Sequence, residues 1–291
     1  MALLTVEHLS VRYHTGQTTV QAVNDVNFTV EPGEIVALVG ESGSGKTSVA
    51  LALTRLLPSP PAVLSGRVIL DPSTHPDGLA RDSAHRDAPG GLHGTNLLAA
   101  SEDALRAIRG GTISYVFQDP GTSLNPVLTI GEQLLEAITL HTDARGADAR
   151  RLALEWLRRV GISSAEERFG AYPHEFSGGM QQRVMIAMAL AAHPSLLIAD
   201  EPTTALDVTI QVQILRLLRD LQRTLNLSVL LISHDLMVVE RIAHRVGVMS
   251  AGRLVELGAV EQVLRQPAHP YTKELLRYRS MVSLRKDEAH G

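Results

Sequence analysis

Apolar and polar side chains alternate over residues 3–13 and again over 20–30, the period of half-buried antiparallel strands. Glu31, Pro32, Gly33 and Glu34 read as a turn. Ile35 to Val39 is a short unbroken apolar run, as expected of a strand covered on both faces. A helix is predicted from near Gly45 to about Leu57, where Pro58, Pro60 and Pro61 stop it. Arg67 to Leu70 reads as a strand. Residues 72–94 are rich in Asp, Pro, Gly, His and Ser and read as an irregular exposed insert. Glu102 to Arg109 reads as a short helix and Thr112 to Phe117 as a strand.

From Pro120 to Gly179 the apolar spacing becomes mostly helical, clearest over Ile130–Leu140 and Ala147–Val160. Strands return at Leu196–Ala199, Val229–Ile232 and Val246–Met249, each beside a helix. Such alternation predicts an α/β fold with a mainly parallel core sheet, N-terminal antiparallel strands and an inserted helical subdomain. The expected core is 1–118 with 181–258, the helical subdomain 119–180, and 259–291 a short helical tail. In that tail a final helix is predicted near Lys273–Arg279, with the last ten residues polar and frayed.

Composition narrows the class. The 291 residues suffice for one large α/β domain and a smaller subdomain. Apolar content of 44% and charged content of 20% are those of a soluble globular chain. The net charge of −4 implies no broad basic surface, so no nucleic-acid partner is expected. Without cysteine there are no disulfides or thiolate metal sites, which is compatible with a reducing cytoplasm. The first residues carry Glu7 and His8 and lack a long apolar core, so they read as a strand and not a leader. The longest apolar run, Val184 to Ala192, is too short to cross a bilayer, and any membrane role is expected to come through partners.

Candidate chemistry begins with the octapeptide from Gly40 to Thr47, which fits G-x-x-x-x-G-K-[ST] at every fixed position. It follows a predicted strand and opens a predicted helix. Glycines let such a loop wrap phosphate oxygens with bare N–H groups at a helix N-terminus. Gly40, Ser42, Gly43, Ser44, Gly45, Lys46, Thr47 and Ser48 are therefore candidate nucleotide-binding residues. Lys46 would neutralise β- and γ-phosphate charge and Thr47 would ligate Mg²⁺. No G-x-G-x-x-G is present, which disfavours a dinucleotide fold. Leu196 to Ala199 bury a strand whose C-terminal end delivers Asp200 and Glu201. Asp200 is a candidate Mg²⁺ ligand, largely through water, and Glu201 a candidate general base. His234 and Gln118 end strands at the same edge. His234 could contact γ-phosphate or hold Glu201 and water, and Gln118 could touch Mg²⁺ or that water. Tyr13 could stack on adenine or serve as an ordinary strand aromatic.

With these residues in order, the chain resembles the ATP-binding subunits of ABC transporters over about residues 3–280. The phosphate loop, Gln118, Ser177-Gly178-Gly179, Asp200-Glu201, Ala205-Leu206-Asp207 and His234 carry the match. The stretches Phe117–Pro126, Tyr172–Met180 and His269–Thr272 look like the oligopeptide, dipeptide and nickel importer branch. The resemblance implies a P-loop ATPase using ATP and Mg²⁺ at the cytoplasmic face of the inner membrane. Its partners would be a homologous second ATPase in a heterodimer, two permeases and an external solute-binding protein. Ser177, Gly178 and Gly179 would clamp the γ-phosphate held by the other ATPase, and Asp207 would lie at the dimer seam. The segment from Gln118 onward would meet a permease helix. Peptide is the expected cargo, with nickel or a metal chelate the alternative and a soluble non-transport ATPase less favoured. The sequence departs from the branch at Gln181, where Arg is common. Longer members carry a cysteine cluster; with no Cys here, no iron–sulfur centre is expected. His75, His85 and His93 in the insert read as a solvated loop, with metal binding the alternative.

Overall fold

The computed structural model describes residues 1–16, 18–58, 62–71, 94–204 and 206–277. The long alternating runs at the N-terminus form β1 (Leu4–Thr15) and β2 (Thr18–Val30), paired antiparallel. The apolar run becomes β3 (Ile35–Val39), followed by α1 (Lys46–Leu53). β4 (Ala62–Leu70) pairs antiparallel with β1, and the short β5 (Thr95–Asn96) pairs with β4. Next come α2 (Glu102–Ile108) and β6 (Ile113–Val116). A helical block follows: α3 (Pro120–Ser123), α4 (Ile130–His141), α5 (Gly146–Arg159), α6 (Ala165–Arg168) and α7 (Gly178–Leu190). The chain then alternates through β7 (Leu196–Asp200), α8 (Val208–Leu225), β8 (Ser228–Ser233), α9 (Leu236–Ile242), β9 (Arg245–Ser250), β10 (Arg253–Ala259) and α10 (Val260–Arg265).

Two sheets result. The first is antiparallel, in the order β2-β1-β4-β5; the second runs β10-β9-β3-β8-β7-β6. All pairs of the second are parallel except β10 with β9. Period-two geometry divides the apolar side chains of its central strands between two layers. Ile35, Ala37 and Val39 of β3 join Leu197 and Ala199 of β7 and Val229 and Leu231 of β8 on the side of the helical block. Val36, Leu38, Leu196, Ile198, Leu230 and Ile232 face α1, α2 and the antiparallel sheet. Coverage on both faces explains why these strands read as unbroken apolar runs. Within the helical block Trp156 is fully buried, in the same apolar layer as Leu134, Ile138 and Leu157. Thr129 and Glu132 close a capping box at the start of α4.

Several expectations shift. α1 ends at Leu53, earlier than Leu57, because Arg55 takes a left-handed φ of 52°. β4 begins at Ala62, earlier than Arg67, because pairing with β1 carries a stretch whose own pattern is broken by Ser65 and Gly66. β10 has no counterpart among the expected strands. It is an edge strand, largely half-buried, joined to β9 through Ala251 and Gly252, both at positive φ. The tail helix begins at Pro270, a residue suited to a first helical turn, and spans 270–277 among the described residues. Residues 72–93 of the expected 72–94 insert, with its three histidines, and the expected frayed end lie outside the described residues. Among the described residues no helix is long and apolar enough to cross a membrane.

Candidate functional site

β3 ends at the C-terminal edge of the parallel sheet, and the loop over 40–45 turns there into α1. Two glycines are forced by the backbone. Gly40 has φ +152° and Gly45 φ +101°, and a β-carbon at either would run into the carbonyl oxygen of Met249 or of Ala22. No side chain caps α1, so its first amides are left to an incoming anion. Lys46 is buried and folds back, donating from Nζ to the carbonyls of Gly40 at 2.8 Å and Glu41 at 2.9 Å. Burial pushes its pKa below the ordinary lysine value, against the opposing pull of Glu201 and Asp200.

Asp200 closes β7 and is almost fully buried. Its Oδ1 accepts from Thr47 Oγ1 at 3.3 Å and its Oδ2 from the Tyr115 hydroxyl at 3.1 Å. Burial raises its pKa despite those two bonds. Burial and the neighbouring Asp200 also push the Tyr115 hydroxyl up, keeping it protonated as a donor. One residue on, Glu201 Oε2 is a focus of three groups. Gln118 Nε2 donates to it at 3.2 Å, Thr204 Oγ1 at 2.8 Å, and His234 Nδ1 lies 3.1 Å away. These come from the ends of β6 and β8 and from the turn after β7, so the sheet edge assembles them. A cavity of about 520 Å³ opens over this edge, lined by Ala22, Ser42, Gly43, Gly45, Lys46, Thr47 and Ser48 together with Gln118, Glu201 and His234; the predicted Gly40 and Ser44 do not line it.

The other predicted residues lie elsewhere. Ser177 caps α7, accepting from the Met180 amide at 3.4 Å, and Asp207 caps α8, accepting from the Ile210 amide at 3.0 Å. None of Ser177, Gly178, Gly179 and Asp207 lines the cavity. Instead a β-carbon at Gly178 would sit 3.5 Å from Leu206 Cδ2, and one at Gly179 2.5 Å from Ile210 Cγ2. The glycine pair therefore abuts the start of α8. Tyr13 does not line the cavity either; its hydroxyl lies 3.3 Å from Ser48 Oγ. Sequence reasoning missed Tyr115 and Thr204. Tyr115 stands two positions from Ile113 on β6, hence on the strand face turned toward α1, and that parity was the available signal.

This arrangement has donors suited to a phosphate group, with carboxylate and hydroxyl oxygens beside them. Thr47 Oγ1 and Asp200 Oδ1 lie 3.3 Å apart, and these are oxygen donors of the kind that would hold a hard cation such as Mg²⁺. Among the described residues no cluster of three or more His, Asp or Glu side chains forms a metal site by itself.

The model of the family described as ABC transporter matches residues 23–204. The chain belongs to the ABC transporter family. Two of its relatives are the peptidoglycan transport ATP-binding protein YejF of Agrobacterium fabrum and the oligopeptide transport ATP-binding protein OppD of Bacillus subtilis. The first is 51% identical over 94% of this chain and 46% of the relative; the second is 46% identical over 94% of this chain and 71% of the relative. A further relative, YejF of Escherichia coli, is 49% identical over 94% of this chain and 48% of its own length. The chain thus spans about half the length of the two YejF proteins it matches. Among solved structures, it is similar to the ATP-binding cassette MJ0796 in a dimeric post-hydrolysis state bound to ADP and Pi. That similarity has a TM-score of 0.71 at 27% identity and covers 88% of this chain and 98% of the cassette.

Proposed function

We propose that this ABC transporter chain binds and hydrolyses ATP with Mg²⁺ to drive uptake of peptides through partner permeases. The observation that carries this reading is the convergence of Gln118, Thr204 and His234 on one oxygen of Glu201, across a single cavity from Lys46 and Thr47. A carboxylate so held suits a general base. The loop amides, Lys46 and Ser48 would hold the phosphates, and Thr47, Asp200 and Gln118 would hold Mg²⁺, which when bound screens phosphate charge. His234 would fix Glu201 and reach toward the γ-phosphate. Tyr13 would border the adenine.

Residues 1–118 and 181–258 would form the nucleotide-binding core, 119–180 the helical subdomain and 259–291 the tail. Ser177, Gly178, Gly179 and Asp207 sit outside the cavity, and that supports their serving a second cassette's nucleotide. On this reading the chain pairs with a homologous ATPase, and the pair docks on two permeases at the inner face of the membrane, supplied by a solute-binding protein. Peptide is preferred over nickel because relatives such as OppD are named for oligopeptide transport. Glu201→Gln tests the base. Nucleotide affinity should persist while turnover falls by about 10²–10⁴-fold. Unchanged turnover would remove Glu201 from that role.

A further inference from the structure

His269 to Thr272 lie far along the chain from the phosphate loop, yet the fold brings them to it. Glu256 on β10 accepts the Ala268 amide at 2.8 Å through one carboxylate oxygen and the His269 amide at 3.1 Å through the other. His269 Nδ1 accepts the Tyr271 amide at 3.2 Å, and Pro270 opens the tail helix. Tyr271, half-buried against the apolar layer of the helical block, accepts the Glu41 amide N–H on its hydroxyl oxygen at 3.4 Å. That N–H belongs to the same peptide unit as the Gly40 carbonyl, which accepts from Lys46 Nζ at 2.8 Å. One peptide plane is thus gripped on both edges, by Lys46 on its oxygen and by Tyr271 on its hydrogen. Gly40 itself supplies little resistance to rotation.

We propose that Tyr271 is a positioning residue for the phosphate loop, with Glu256 as the clasp that delivers it; this rests on the nucleotide-binding reading above. Without the hydroxyl, the Gly40–Glu41 peptide turns more freely and Lys46 loses one of the carbonyls that hold it. The loop then has to be ordered by the nucleotide, and affinity falls.

The test titrates magnesium-ADP into the full chain as wild type, Tyr271→Phe, Glu256→Gln and the double variant, with hydrogen exchange of the phosphate-loop amides followed in parallel. Tyr271→Phe keeps the ring, so melting should change little. Its affinity should drop about two- to tenfold, the factor carried by one hydrogen bond, and loop exchange should accelerate. Glu256→Gln should weaken binding alone and add nothing once Tyr271 is Phe. Failure of the wild type to bind magnesium-ADP sinks the nucleotide reading itself. Normal wild-type binding with equal affinity and equal loop exchange in Tyr271→Phe overturns the Tyr271 assignment alone. Additive losses in the double variant overturn the role of Glu256.

Discussion

Gly178 and Gly179 differ in what a single methyl group would meet, and the difference is measurable. A β-carbon on Gly178 has Leu206 Cδ2 at 3.5 Å, an ordinary contact, whereas on Gly179 it has Ile210 Cγ2 at 2.5 Å. The gap needed is about 3.5–4.0 Å, so the second methyl overlaps by about 1 Å or more. Ile210 is β-branched and stiff at χ1, and α8 is held by the Asp207 cap, so little can yield. Overpacking of this kind costs about 1–3 kcal/mol. Both substitutions gain at most about 1 kcal/mol of helix propensity, less in a first turn. Gly178→Ala should therefore be neutral or slightly stabilising in urea unfolding. Gly179→Ala should lie below it by about 1–3 kcal/mol. Combining Gly179→Ala with Ile210→Ala should show a favourable coupling of about 1 kcal/mol or more. Equal stabilities for the two alanine variants, or zero coupling, would refute the contact between the glycine turn and α8.

Because Gly178 has that room, Gly178→Asp should fold, and in a dimer with one altered copy the like charge should disable the site built on the unaltered partner's phosphate loop. Selective loss at the altered chain's own loop would reverse the assignment. Burial pushes the Glu256 carboxyl up, but hydrogen bonds, including those from the Ala268 and His269 amides, outweigh it and hold the group below its ordinary 4.5. A lowered folded pKa means stability present above 4.5 and lost as pH falls through the folded value. Glu256→Gln should thus lower the melting temperature at pH 7, and the deficit should close as acid titrates the wild type. A deficit that persists below the folded value would show that the charge is not what clasps the tail.

Strands covered on both faces were legible in the sequence because burial on two sides leaves no polar position to break the run, as in Ile35–Val39. The structure gathers Lys46, Thr47, Gln118, Glu201 and His234 around one cavity; the phosphate loop could be picked out by its glycine spacing, whereas Gln118 stood out only through the resemblance to ABC transporter ATPases. β10 was not legible, since a half-buried edge strand shows no period strong enough to read. Tyr115 and Thr204 escaped notice because their partners, Asp200 and Glu201, lie across strands or a turn. Tyr271 shows the same limit at a separation of 230 residues.

Glu201 carries one more consequence. Its φ is 46°, a left-handed setting that costs a residue with a β-carbon about 1–2 kcal/mol. The Glu201 amide is tied to the Ile232 carbonyl at 2.9 Å, so the neighbouring strand imposes that setting. A glycine at this position would relax the backbone but remove the carboxylate on which Gln118, Thr204 and His234 converge. Backbone ease and a gathered side-chain cluster therefore pull in opposite directions at a single residue.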